Sequence, residues 1–130
     1  MESFGPATQN SGHKMKFKEI QKWNEEQLVA ELKVLGEHIR EKDAEGLSPD
    51  IEKVDKAVII WLEIMKKTFP DQSPWEIMDY MIANYKEPRV SFRKMRARYA
   101  ETKRLIDEYT HADKVKKVML RPELVARGML

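Results

Sequence analysis

The feature that most constrains this chain is the spacing of its apolar residues, which recur three and four positions apart. One such series comprises Leu28, Leu32, Leu35 and Ile39. A second comprises Ile51, Val54, Val58, Trp61 and Met65. This period places the apolar residues on one face of an α-helix. No segment alternates β-branched and polar residues as a half-buried strand would. The sequence therefore predicts an all-α fold.

Local signals predict where the first long helix begins. Asn24 is followed three residues later by Gln27, the pattern of a capping box in which each side chain bonds the other residue's backbone N–H. Trp23 and Leu28 flank this cap at the spacing of a hydrophobic staple. The preceding residues, 15–20, are expected to form an extended basic segment that leads into the helix. The helix is predicted to end near Gly46, a residue suited to the left-handed position after a helix.

A short connection follows this helix. Ser48-Pro49 predicts that the second helix begins with Ser48 as its N-cap and proline at its first position. Short connections join antiparallel neighbours, so residues 15–70 are predicted to form an antiparallel helical hairpin. Residues 1–14 precede it as a flexible polar tail. Residues 71–130 follow it as a helical, basic C-terminal extension.

Further start signals divide the extension into helices. Ser73-Pro74 predicts a helix that ends before Pro88, because the residue preceding a proline avoids the helical region. Ser91 is expected to start the next helix. Residues 113–120 are expected to form a short helix, and residues 122–126 a separate turn.

The composition excludes several classes of chemistry. The chain has no cysteine, so disulfides, thiolate catalysis and cysteine-ligated zinc are ruled out. His13, His38 and His111 lack the spacing of a helix-borne metal pair, and no glycine-rich phosphate loop is present. We therefore predict no catalytic residue, no metal site and no cofactor. No apolar run is long enough to span a membrane.

The charge is distributed unevenly. Residues 1–85 carry 11 Lys/Arg against 16 Asp/Glu, a net charge of −5, whereas residues 86–130 carry 13 against 6, a net charge of +7. The basic residues that we expect to bind RNA in this later part are Arg89, Arg93, Lys94, Arg96, Arg98, Lys103, Arg104, Lys114, Lys116 and Lys117. Arginine predominates between residues 89 and 104, and its planar fork favours bidentate contact with phosphate. Two alternatives remain: a solvated face paired with the acidic first part, or contact with anionic lipid.

The hairpin segment resembles a known family. Met15-Lys16-Phe17-Lys18-Glu19-Ile20, then Trp23–Leu28 and a leucine stripe, resemble the start of large-subunit ribosomal protein twenty-nine. Gly46–Pro49 takes the place of that family's loop, and 51–58 the opening of its second helix. The resemblance covers residues 15–67 and implies an α-hairpin bound to ribosomal RNA. By this resemblance, the hairpin residues expected to contact RNA are Lys16, Lys18, Lys53 and Lys56.

These observations lead to a functional prediction. We expect a non-enzymatic structural constituent of the large ribosomal subunit, with ribosomal RNA and neighbouring ribosomal proteins as partners. Mitochondrial versions of the family carry C-terminal extensions, which implies a mitochondrial location, with the cytoplasm as the alternative. Neither a small-molecule substrate nor membrane contact is expected. The competing hypotheses are an RNA-coating nucleocapsid or coat subunit, which must self-assemble, and an accessory helical subunit of a large protein complex.

Overall fold

A computed structural model describes residues 17–130, and these residues form six α-helices. The helices are α1 (Phe17–Ile20), α2 (Glu25–Ala44), α3 (Ile51–Thr68), α4 (Pro74–Asn84), α5 (Arg89–Thr110) and α6 (Lys114–Ala126). The described part of the chain contains no strand, so the predicted all-α class is confirmed. The predicted tail, residues 1–14, lies outside the described residues.

The capping box at the start of α2 is present as predicted. The Asn24 side-chain oxygen accepts a hydrogen bond from the Gln27 N–H at 2.8 Å, and the Asn24 N–H donates to the Gln27 side chain at 3.0 Å. Leu28 is fully buried, with Trp23 packed against the same core. The expected extended lead is wrong over Phe17–Ile20, which is one helical turn that buries Ile20. Its apolar side chain packs into the core, and this favours a turn over an extended segment.

The predicted start of α3 is wrong by two residues. Asp50, not Ser48, is the N-cap, and its carboxylate accepts a hydrogen bond from the Glu52 N–H at 3.1 Å. Both residues are good caps in isolation. The Asp50 N–H also donates to the His38 ring of α2 at 3.1 Å. This tertiary hydrogen bond favours Asp50, and sequence spacing does not reveal it.

The predicted start of α5 at Ser91 is also wrong. The helix begins at Arg89, after Pro88, and Ser91 lies buried in its first turn. The Ser91 hydroxyl donates a hydrogen bond to the Pro88 carbonyl at 3.0 Å, so it bonds within the first turn and does not serve as the N-cap. Close packing explains the burial, because a Cβ added to Gly36 of α2 would lie only 3.6 Å from the Ser91 hydroxyl oxygen.

The last helix is continuous where two short segments were expected. α6 runs through Pro122 and ends before Gly128, which has a φ of 81°. Proline inside a helix removes one hydrogen bond and clashes with the preceding turn, so other contacts must stabilise the continuation. Leu124 and Arg127, beyond the proline, are both buried. Their burial holds the final turn in register with the rest of α6.

The core is built around α3, which is buried over much of its circumference. Its buried apolar residues are Val54, Ala57, Val58, Ile59, Ile60, Trp61, Ile64 and Met65. α2 covers one side, and Met78, Phe92 and Met95 of α4 and α5 cover another. Residues before and after position 70 thus share one core, and the boundary we placed there stays a prediction.

Contacts between α2 and α3 run in reverse order along the two helices. The His38 ring contacts Asp50, and Lys56 bonds Glu31 at 2.7 Å. The Lys67 ammonium, at the end of α3, donates to the backbone carbonyl just before α2, that of Trp23, at 2.7 Å. Antiparallel neighbours have this pattern of contacts.

Candidate nucleic-acid interface

The basic residues of α5 divide by what their side chains contact, and one group faces solvent. Arg93, Lys103 and Arg104 are exposed and form no ion pair within residues 17–130. Arg93 and Arg104 are eleven residues apart, so helix geometry places them within about 20° of each other and roughly 16 Å apart along the axis. Lys103 lies about 80° from Arg93 around the helix axis, so these three residues, which we call the α5 basic face, offer free cationic groups over an arc of about 100°.

Arg98 belongs to a second group, which is engaged inside the protein. Its Nε donates to one Asp55 carboxylate oxygen at 2.6 Å and its Nη2 to the other at 3.0 Å. Both side chains are largely buried, with 14% and 8% of their surface exposed. The hydrogen bond to Asp55 raises the pKa of Arg98 above its ordinary value, although burial acts in the opposite direction. The guanidinium therefore ties α5 to α3.

Arg96 also makes an internal contact. Its Nε donates to the Asp79 carboxylate at 3.0 Å, and its guanidinium lies 5.5 Å from the centre of the Trp75 ring. Trp75 in turn stacks on Tyr99, with ring centres 3.8 Å apart. Arg96 therefore helps to attach α4 to α5.

Two further residues of the predicted RNA-binding set also make contacts inside the protein. Arg89 donates from its Nε to the Ile82 carbonyl at 2.8 Å, and Lys94 lies 3.9 Å from the Asp43 carboxylate. Together with Arg96 and Arg98, these residues direct part of the basic segment toward the acidic first part of the chain. This is the internal pairing that the sequence left open as an alternative, and it coexists with the exposed α5 basic face.

The predicted residues of the hairpin are dispersed. Lys16 lies outside the described residues, while Lys18 and Lys53 are exposed. Lys56 forms the ion pair with Glu31 and lies 5.7 Å from the centre of the Trp23 ring. Of the described hairpin lysines, Lys56 is therefore engaged inside the protein, whereas Lys18 and Lys53 stay exposed.

The lysines of α6 differ in the same way. Lys114 is exposed and has no ion pair in the described region. Lys116 lies 3.2 Å from the Glu108 carboxylate. Lys117 is half-buried, 5.5 Å from the centre of the Tyr109 ring. Of these three lysines, Lys114 alone is exposed without an ion pair in the described residues, and it extends the set of free cations.

Sequence reasoning missed Arg127, which anchors α6. Its Nε donates to Glu123 at 2.9 Å, its Nη1 to the Thr102 hydroxyl at 2.8 Å, and its Nη2 to Glu101 at 3.4 Å. Glu101 also lies 3.8 Å from Arg98, so charged side chains connect α3, α5 and α6. The spacing of Glu123 and Arg127 is the one signal for this cluster, because residues four apart meet on a helix.

Within residues 17–130, no group of three or more His, Asp or Glu side chains is placed to hold a metal ion. No helix in that range is both long and apolar enough to cross a membrane. Comparison of the chain with protein-family models, with curated proteins and with solved structures found no match.

Proposed function

We propose that the protein is a non-enzymatic RNA-binding protein. The observation that carries this proposal is the α5 basic face: Arg93, Lys103 and Arg104 are exposed on one helix and form no ion pair within residues 17–130. Arginine and lysine placed in this way contact phosphate oxygens and give an affinity that depends steeply on salt. The contact is with the RNA backbone, so it does not by itself select a base sequence.

The internal ion pairs support the proposal because they hold the face in place. The Arg98–Asp55 pair joins α5 to α3, and the Arg96–Asp79 pair joins it to α4. The phosphate-binding groups are therefore presented without a large loss of backbone entropy on binding. Lys114, beyond the C-terminal end of α5, adds a further free charge.

Within this class we propose a structural constituent of the large ribosomal subunit, located in the mitochondrion or otherwise in the cytoplasm. Support for this narrower assignment comes from the resemblance of residues 15–67 and from the capped helix at Asn24. Neighbouring ribosomal proteins would then be further partners. Co-sedimentation of the tagged full-length protein with large subunits in 0.5 M salt is the expected result. Recovery at the top of the gradient together with free protein would refute the ribosomal assignment.

The broader RNA proposal has its own test. The variant Arg93→Gln/Lys103→Gln/Arg104→Gln removes the three free charges from exposed positions, so its fold should be retained. Binding to a fluorescent single-stranded RNA of about 20 nucleotides is measured from 50 to 300 mM salt. Three lost phosphate contacts are expected to reduce the slope of log affinity against log salt by about 2.

A matched control separates specific placement from net charge. Lys22, Lys33 and Lys66 are exposed and form no ion pair in the described part of the chain. The variant Lys22→Gln/Lys33→Gln/Lys66→Gln loses the same three positive charges, from the turn before α2, from α2 and from α3. It is expected to keep the wild-type slope. Equal slopes for the two triple variants would refute an RNA interface on α5.

A further inference from the structure

The outward side of α6 is an uncovered apolar surface. Val115, Val118 and Met119 are 71%, 71% and 74% exposed, and Val125 is 43% exposed. Their spacing puts them on one side of the helix, opposite the buried Leu124. We call these four residues the α6 apolar face. Isolated exposed apolar residues are common, but a contiguous helical face of this kind marks an interaction surface.

Free positive charges border this face. At 100° per residue, Lys114 and Arg121 lie within about 20° of each other, next to Val118 and Val125. Both are exposed and have no ion pair within residues 17–130. Two copies of α6 packed on each other would bring these cations close together, which is unfavourable at an interface. A partner surface that combines apolar side chains with carboxylates therefore suits this face better than a second copy of α6.

The outward side of α2 combines apolar residues with two carboxylates and one lysine. Its N-terminal half forms a shallow depression lined by Val29 and Ala30, by Glu25 and Glu26, and by Asn24 and Lys33. Both carboxylates are exposed and form no ion pair in the described part of the chain. Val34, one turn further along, adds an exposed apolar side chain. We call this surface the α2 acidic face.

We propose that the α6 apolar face of one molecule docks on the α2 acidic face of a second copy. The apolar side chains of α6 enter the depression, and Lys114 and Arg121 approach Glu25 and Glu26. The division of the whole chain into a part of net charge −5 and a part of net charge +7 favours the same head-to-tail contact. This proposal does not depend on RNA binding.

The geometry determines what kind of assembly forms. The two faces differ, so each molecule that has docked through α6 still has a free α2 acidic face. Such heterologous contacts produce rings or open filaments rather than closed dimers. In nucleic-acid-free protein at 50 mM salt, the weight-average mass from sedimentation equilibrium is expected to rise continuously above 15.4 kDa as concentration increases from 5 to 500 μM. Higher salt should reduce the association, because part of it comes from exposed charges.

Two variants block one face each. Val118→Glu/Met119→Glu changes two exposed residues of α6 and adds negative charge opposite the acidic partner. Ala30→Arg fills the α2 depression with a bulky cation at an exposed helical position. Each variant alone is expected to stay at the monomer mass. A 1:1 mixture is expected to form a heterodimer and nothing larger, because one intact face remains on each molecule.

The matched controls place similar changes elsewhere. Leu47→Glu/Tyr80→Glu alters two exposed apolar residues outside both faces, and Ala83→Arg alters an exposed alanine of α4. Both should associate like the wild type, and circular dichroism should show unchanged helix content in all four variants. A monomeric wild type at 500 μM, blocked variants that still associate, or a mixture that stays monomeric would each overturn the proposal. So would α6-dependent binding to anionic vesicles without self-association.

Discussion

Replacing Arg98 with methionine keeps most of the side chain's length and its apolar stem, but it leaves the Asp55 carboxylate buried without its partner. The two hydrogen bonds that are lost measure 2.6 and 3.0 Å, and Asp55 keeps only 8% of its side-chain surface in water. Removing one partner of a buried ion pair costs about 3–5 kcal/mol. For a chain of this length, this corresponds to a fall in Tm of roughly 10–20 °C.

Replacing both partners should have a much smaller effect. In Asp55→Leu/Arg98→Met neither charge of this pair remains, and substituting apolar groups for a buried pair is often neutral or stabilising. The double variant is therefore expected to be at least about 2 kcal/mol more stable than Arg98→Met. The free energies of unfolding come from urea titrations followed by circular dichroism at 222 nm. Combined with those of Asp55→Leu, they complete a double-mutant cycle that isolates the pairwise term.

An exposed pair that joins α5 to α2 provides the control. Lys94 and Asp43 are 3.9 Å apart, and each side chain keeps nearly half of its surface in water. Surface pairs contribute little, so Lys94→Met should change the free energy of unfolding by less than about 1 kcal/mol. The reasoning about burial would be refuted if Arg98→Met and Lys94→Met had similar effects, or if the cycle gave no coupling.

Three smaller changes probe the helices. Gly36→Ala should raise the free energy of unfolding in urea by about 0.5–1 kcal/mol, because the new Cβ meets only ordinary contacts and the movable tip of Arg40. Gly36→Leu should lower the free energy of unfolding by about 1–3 kcal/mol. A leucine variant as stable as the wild type would argue against close α2–α5 packing. Asn24→Ala removes the capping box and should cost about 1 kcal/mol, a loss that Asn24→Asp should largely avoid. Pro122→Ala should restore one helical hydrogen bond and slow amide exchange in α6 by about tenfold or more. Unchanged exchange would contradict the placement of Pro122 inside a continuous helix.

Short-range patterns predicted a large part of this fold. The α2 cap depends on groups three residues apart, and the burial of Phe92 and Met95 follows from helical periodicity. Both depend on neighbours along the chain. Helix starts were less well predicted where two candidates compete, as at Ser48 and Asp50, because the decision depends on a residue of another helix.

The candidate interface was harder to predict for the same reason. Helical spacing places Arg93, Arg96 and Arg104 on or near one side of α5, but Arg96 pairs with Asp79, whereas Arg93 and Arg104 are exposed. Spacing does not show that Asp55, more than forty positions earlier, lies opposite Arg98. Free and neutralised arginines therefore look alike in the sequence. Separating them requires the packing of α3 against α5.

Each of the three tryptophans lies at a different contact between helices, so the protein has built-in optical probes. Trp23 lies beside the start of α2, the Trp61 indole N–H donates to the Pro74 carbonyl at 3.0 Å, and Trp75 stacks on Tyr99. Release of α4 would expose the Trp61 indole to water and remove the aromatic coupling of Trp75. Near-ultraviolet dichroism and fluorescence of single-tryptophan variants would thus follow separately how each of these contacts opens.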